Sequence, residues 1–315
     1  MRRVSVSGGT SMFGHDESTE QIRTAFEEAF PELPADQARA LVNHVSTEPG
    51  EDMSTAEFLR CMTEERLYPV FQGFRDVETK QLWGGEMLAR ILSEDGTLTC
   101  AERFKKAASQ THMWPEISRR TMESGMHVAS CMPENVAVSF NVGGELLDQA
   151  HFADELQAMR KIHGATDRRI CLEAVEDMTT LLKNGRSATL RRCSANNVQF
   201  LADDVGQKRH DRGMAQTPEG ADSAQNADKL LEQLTMIVGV YGIKLCGAVT
   251  DTASKVGGRI RRCIEQGKRL GVSRFIAEGS ERYPINNQIF LGLQRLQGEY
   301  GERIELSVQG PVFRV

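Results

Sequence analysis

Asp203 and Asp204 stand side by side after the apolar run Val198–Ala202. Two adjacent carboxylates at the end of a strand repel each other unless a cation offsets them. Oxygen-rich groups of this kind suit hard divalent ions, and Glu86, Asn141 and Glu173 close three other apolar stretches in the same way. Gathered in one place, they supply the ligands for two ions close enough to share an activated water, an arrangement that cleaves phosphodiesters. Lys244, in Gly242-Ile243-Lys244-Leu245, could neutralise a phosphate or orient the attacking water, and Glu278 after Phe275-Ile276-Ala277 needs a partner such as a metal or Lys244. Each residue has a plainer reading when taken alone: a solvated Asp-Asp turn, or a surface lysine. Glu176 and Glu281, three residues after candidate acids, also read as first-turn glutamates favoured by a helix dipole. Gln72 and Gln309 end two further apolar stretches, which brings the polar endings to eight.

Residues so far apart meet only if the fold collects its strand ends, as a barrel of strands and helices does at one mouth. The pattern supports such a barrel. Strands are expected near 68–76, 83–92, 136–142, 169–174, 198–205, 243–246, 274–278 and 304–309. Helices are expected near 99–108, 115–128, 146–162, 178–191, 229–240, 252–270 and 286–299. Ser54 caps a helix with Glu57 three residues on, and Thr99 with Glu102 reads as a second capping box. The turn between the first two strands is too short for a crossover, so these two should pair antiparallel. The expected fold is an α/β modified (β/α)8 TIM-like barrel over residues 53–315, with an antiparallel first strand and a short N-terminal extension over 1–52. In that extension, residues 1–15 read as disordered. Ile22, Ala25, Phe26, Ala29 and Phe30 mark one short helix and Ala38, Leu41, Val42 and Val45 another, before Glu48–Asp52 breaks the pattern.

Composition narrows the function classes. A chain of 315 residues with 40% hydrophobic and 26% charged residues is an ordinary globular protein. Its formal charge of −6 argues against a general binder of nucleic-acid polymers or membrane surfaces. No apolar run is long enough to cross a bilayer, and the start lacks the apolar core of a secretory signal. Seven scattered cysteines, never spaced C-x-x-C, give neither a disulfide framework nor a zinc site and point to the cytoplasm. No H-E-x-x-H or G-x-S-x-G pattern occurs. Gly206–Asp228 is almost without apolar side chains and follows the Asp-Asp pair, as a functional loop or an insertion would.

The polar strand ends, in order, resemble the motifs of the EAL-domain family, bacterial phosphodiesterases that open cyclic di-GMP to linear pGpG. Phe71-Gln72-Gly73-Phe74-Arg75-Asp76 resembles the family's Tyr-Gln-Pro-Ile-Val-Asp, and Glu86-Met87-Leu88-Ala89-Arg90 its naming Glu-Ala-Leu-Leu-Arg. Asn141-Val142-Gly143 is similar to Asn-x-Ser, Glu173-Ala174-Val175-Glu176 to Glu-Ile-Thr-Glu, and Asp203-Asp204-Val205-Gly206 to Asp-Asp-Phe-Gly. Lys244-Leu245-Cys246 resembles Lys-Ile-Asp, Ala277–Glu281 Ala-Glu-Gly-Val-Glu, and Gln309-Gly310-Pro311 Gln-Gly-Tyr. The resemblance covers residues 54–315. It implies that Glu86, Asn141, Glu173 and Asp203, with Asp204, bind two Mg2+ or Mn2+ ions, and that Lys244 and Glu278 assist water activation. It further implies that Gln72, Arg90 and Gln309 contact cyclic di-GMP, and that Glu176 anchors the loop coupling metal binding to dimerisation. Three departures stand out: Met87 for Ala, Cys246 for Asp, and Gln207–Arg212 where the family has Thr-Gly-Tyr-Ser-Ser. The alternative is an inactive EAL-like domain that senses cyclic di-GMP or docks a regulatory protein.

Overall fold

The computed structural model describes residues 24, 26–28, 30–31, 51–93, 98–174, 186–205, 231–232, 234–245, 256–278, 288–301 and 304–309. Nine strands run in chain order: β1 Leu67–Asp76, β2 Leu82–Leu92, β3 Leu98–Cys100, β4 Ala137–Val142, β5 Ile170–Ala174, β6 Gln199–Val205, β7 Gly242–Leu245, β8 Arg274–Ala277 and β9 Glu305–Gln309. Their hydrogen-bonded order is β1-β9-β8-β7-β6-β5-β4-β2-β3, and a β1–β2 pairing closes eight of them into a barrel. β2 and β4 to β9 run parallel, whereas β1 is antiparallel to both its neighbours.

The β1–β2 turn explains that reversal. The Asp76 carboxylate accepts from the backbone N–H of Glu78 and Thr79 at 3.0 and 2.7 Å, and Lys80 takes a positive φ of 64°. Such a tight turn can join only antiparallel strands. Only Phe74–Asp76 of β1 pairs with β9, and Gly84–Met87 of β2 with β4. The remainder of both strands continues past the barrel as an antiparallel pair, extended by β3 on β2.

Alternation along the strands separates two cores. Val138, Phe140, Leu172, Phe200, Ile243 and Phe275 belong to the large apolar cluster, in company with side chains of the surrounding helices such as Met122, Leu156 and Ile264. Phe74, Ala137, Cys171, Leu201 and Ile276 fill the barrel interior. Burial pushes the Cys171 thiol up to about 12, so it acts as the small hydrophobe expected of it. Next to this layer the Arg274 guanidinium lies 4.1 Å from the Trp83 ring and 4.7 Å from the Tyr241 ring, and donates to the Tyr241 hydroxyl at 2.6 Å. This end of the barrel is therefore plugged, and chemistry is left to the other.

Ser54 caps the helix Thr55–Thr63 as expected, accepting from Glu57 N at 3.2 Å. The second capping box, expected at Thr99, does not form. The helix Ala101–Gln110 starts after Cys100, which makes no side-chain cap, while Thr99 sits in β3 and shares a hydrogen bond with Ser93 at 2.9 Å. Strand pairing of Thr99 with Ile91 outweighed capping there. The single helix expected over 146–162 is two, Gly144–Leu147 and Phe152–Ile162. Leu147 and Phe152 are both buried, and five residues of continuous helix would set them about 140° apart, so the chain turns between them. Phe26 and Phe30 join the large apolar cluster, and Phe30 meets Tyr68 edge-on at 5.8 Å. The short helix expected at 38–45, the start of the helix expected from 178 and the polar segment 206–228 lie outside the described residues. Among the described residues no helix is long and apolar enough to cross a membrane.

Candidate functional site

Inward-facing positions of seven strands meet at the end of the barrel opposite the plug. Register sets Glu86 beside Ser139 and Asn141 beside Glu173, while Glu278 follows β8 directly, its N–H held by the Leu245 carbonyl at 3.0 Å. The centre is Lys244, 2% exposed. Its ammonium lies 2.6 Å from Glu173, 2.8 Å from Glu278, 3.0 Å from Glu86 and 3.2 Å from Asp203. An ammonium has three N–H donors, so it cannot hydrogen-bond four carboxylates at once.

A second set of bonds fixes the carboxylates. The other oxygen of Glu86 accepts from the Asn141 amide, and Gln309 donates to Glu86 at 2.8 Å and to Gln72 at 3.0 Å. Glu173, fully buried, gives one oxygen to Lys244 and the other to the Ser139 hydroxyl, which also faces the Gly85 carbonyl at 3.2 Å.

Four carboxylates around one ammonium leave an excess of negative charge in a place water barely reaches. Burial pushes the Glu173 carboxyl well above the usual range, and the nearby Glu86 adds to this against the pull of Lys244. Burial likewise raises Glu278 to about 8 despite Lys244 beside it. Burial alone would lower Lys244, yet Asp203, Glu173, Glu278 and Glu86 together hold it well above the lysine range. Among the described residues no group of three His, Cys, Asp or Glu side chains is set to hold a metal ion as the site stands, and the Lys244 ammonium lies among the carboxylate oxygens. The donor set, carboxylates and one amide with neither sulfur nor imidazole, fits a hard cation, and its excess charge would favour one.

Glu86, Asn141, Glu173, Asp203, Lys244, Glu278, Gln72 and Gln309 thus form one connected group. Two of them do not end their strands: Gln72 and Glu86 pair with each other midway along β1 and β2, since both strands outrun the barrel. Arg90 stays apart, four residues beyond Glu86 on the same face, roughly 13 Å along the strand. The backbone of Asp204 lies in β6, but its side chain, Glu176, Cys246 and the 207–212 segment fall outside the described residues. Ser139 was missed. Its signal was available, since it shares the inward alternation of Asn141 two residues later.

The model of the EAL domain matches residues 55–212, half of the chain, and the chain belongs to that family. No curated protein matches the sequence. Among solved structures the chain is similar to an EAL domain protein from Listeria monocytogenes EGD-e, at 15% identity and a TM-score of 0.63 over 84% of this chain and 94% of that one. It is similar to the phosphodiesterase PaMucR in complex with c-di-GMP, at 16% identity and a TM-score of 0.61 over 82% and 95% of the two chains. The EAL enzyme Bd1971, in its form with cAMP and cyclic di-GMP bound, aligns at 16% identity and a TM-score of 0.62 over 82% of this chain. This chain spans 64% of the length of Bd1971. At these identities the structures share the fold.

Proposed function

We propose that this chain is a metal-dependent phosphodiesterase that hydrolyses cyclic di-GMP to linear pGpG in bacterial second-messenger signalling. One observation carries the reading: Glu86, Glu173, Asp203 and Glu278 close on Lys244 at the open end of an EAL barrel, with Asn141 on Glu86. Glu86, Asn141, Glu173 and Asp203, with Asp204, would hold two divalent ions, Mg2+ or Mn2+. Bound there, such ions supply Lewis acidity and an activated water. The remaining tasks belong to side chains. Lys244 keeps its charge at any physiological pH and faces the reacting phosphate. Glu278, raised to about 8, can take or give a proton near neutral pH. Gln72 and Gln309, bonded to each other beside Glu86, orient the dinucleotide, and Arg90 grips a phosphate farther out. Glu176 anchors the loop after Asp204. Action in the cytoplasm and self-association through the barrel belong to the same proposal.

A second reading, a cyclic di-GMP sensor or protein-docking regulator without turnover, is favoured by Gln207–Arg212 and Cys246, which depart from the family motifs. Incubating the full chain with cyclic di-GMP and Mn2+ or Mg2+ separates the two. Linear pGpG should form, and Glu86→Ala should abolish it. Tight binding without product would support the sensor, and neither binding nor product would refute both the phosphodiesterase and the sensor, leaving the protein-docking regulator.

A further inference from the structure

Past the barrel mouth, residues directly opposite in the β1–β2 pair share a face, so Tyr68, Val70, Leu88 and Arg90 lie on the face that carries Gln72 and Glu86 lower down. β3 adds Leu98 and Cys100 to it, opposite Leu92 and Arg90. A dinucleotide held by Gln72, Gln309 and Arg90 would lie against this surface. The surface is covered: Val70 is 0%, Leu98 3% and Arg90 6% exposed.

Part of the cover is the N-terminal segment. Phe30 sets its ring edge-on to Tyr68 at 5.8 Å, and Phe26 lies 6.2 Å from Phe30, one helical turn back. The turn is closed by Phe30 N donating to Phe26 O at 3.0 Å. Both rings share an apolar cluster with Val70 and Leu98, against which Tyr68, Leu88 and Leu92 pack. Tyr68 is the residue directly across from Arg90, and opposite Cβ atoms in such a pair are about 5 Å apart. Arg90 itself is short of partners. Its Nη1 donates to the Ala89 carbonyl at 2.9 Å, and its Nε is buried without a hydrogen-bond partner among the described residues. A buried guanidinium donor without an acceptor is costly, and phosphate oxygens are acceptors of matching geometry.

We propose that the segment carrying Phe26 and Phe30 is an internal strap on the substrate face of β1–β2, competing with the dinucleotide for the surface beside Arg90. The proposal rests on the cyclic di-GMP reading and adds a means of regulation to that site. Whatever draws the strap away would open the surface, and ligand would displace it by giving Arg90 the acceptors that two phenyl rings cannot.

Two measurements on the full chain test this. In equilibrium titration with cyclic di-GMP in EDTA, where no turnover intervenes, Phe30→Ala should lower the apparent Kd about tenfold, because weakening the strap enlarges the competent fraction. Hydrogen exchange on the unaltered chain should show peptides spanning residues 24–31 losing protection as cyclic di-GMP saturates, a readout that stands even if Phe30→Ala does not fold. Unchanged or weaker binding by a folded Phe30→Ala, or equal protection of 24–31 with and without ligand, would overturn the strap and leave the functional reading intact. No cyclic di-GMP binding by either protein would overturn both.

Discussion

Removing the Lys244 ammonium is the most direct perturbation of the centre. Lys244→Met keeps most of the stem volume while leaving Glu86, Glu173, Asp203 and Glu278 without their shared cation. Stripping one partner from a buried ion pair costs about 3–5 kcal/mol. For a chain of this size that corresponds to a fall in Tm of about 5–8 °C. The loss should depend on pH in a fixed direction. Glu173 and Glu278 already hold protons more readily than ordinary carboxyls, and without Lys244 they will do so more strongly. At pH 5 protons are held readily and the penalty is small; it grows as pH rises through about 8. Differential scanning calorimetry of both proteins at pH 5, 6.5 and 8 measures this, and adding Mn2+ at pH 8 should raise the Tm of Lys244→Met more than that of the unaltered chain. A variant as stable as its parent at pH 8, or one destabilised equally at pH 5, would refute the view that Lys244 offsets crowded carboxylates.

Three further outcomes are expected. Glu278 has an ordinary value of 4.5 and is raised to about 8 in the fold, so its contribution is fully present below about pH 4.5 and is lost as pH rises through about 8. At 1.36 kcal/mol per pH unit that loss is at most about 5 kcal/mol. Glu278→Gln should remove it, flattening urea midpoints between pH 5 and 8. Ser139→Ala frees one oxygen of Glu173 and should lower turnover or Mn2+ affinity about 10–100-fold, as loss of a ligand's hydrogen-bond partner does, with Ser139→Thr restoring part of it. Gly85→Ala would drive a methyl into the Phe71 ring and to 2.6 Å from the Gln72 carbonyl, costing about 1–3 kcal/mol in chemical denaturation and disturbing the Gln72–Glu86 pairing.

How much of this was readable in advance differs from element to element. The parallel strands from β4 to β9 appeared as short apolar runs within about two residues of their bounds, because a strand covered on both faces must be apolar almost throughout. β3 was not readable. Leu98-Thr99-Cys100 is too short to show a period, and only its pairing with Arg90, Ile91 and Leu92 makes it a strand. The break at 148–151 was hidden because Leu146–Ile162 has helical composition throughout, and only the need to bury both Leu147 and Phe152 divides it. Ser139 looked like an ordinary strand serine until Glu173 was found against it.

By itself, the sequence determined which residue types stood at the inward strand positions and that an α/β barrel would gather them, since alternation and apolar runs are local properties of the chain. Tertiary structure alone decided that Lys244 is the hub, touching four carboxylates from β2, β5, β6 and the end of β8. It also decided that Arg90 stands away from that hub, buried on β2 across from Tyr68. Distances across a barrel depend on strand register and closure, and these come from pairings between segments up to 237 residues apart, such as Gln72 with Gln309. No local pattern carries that information.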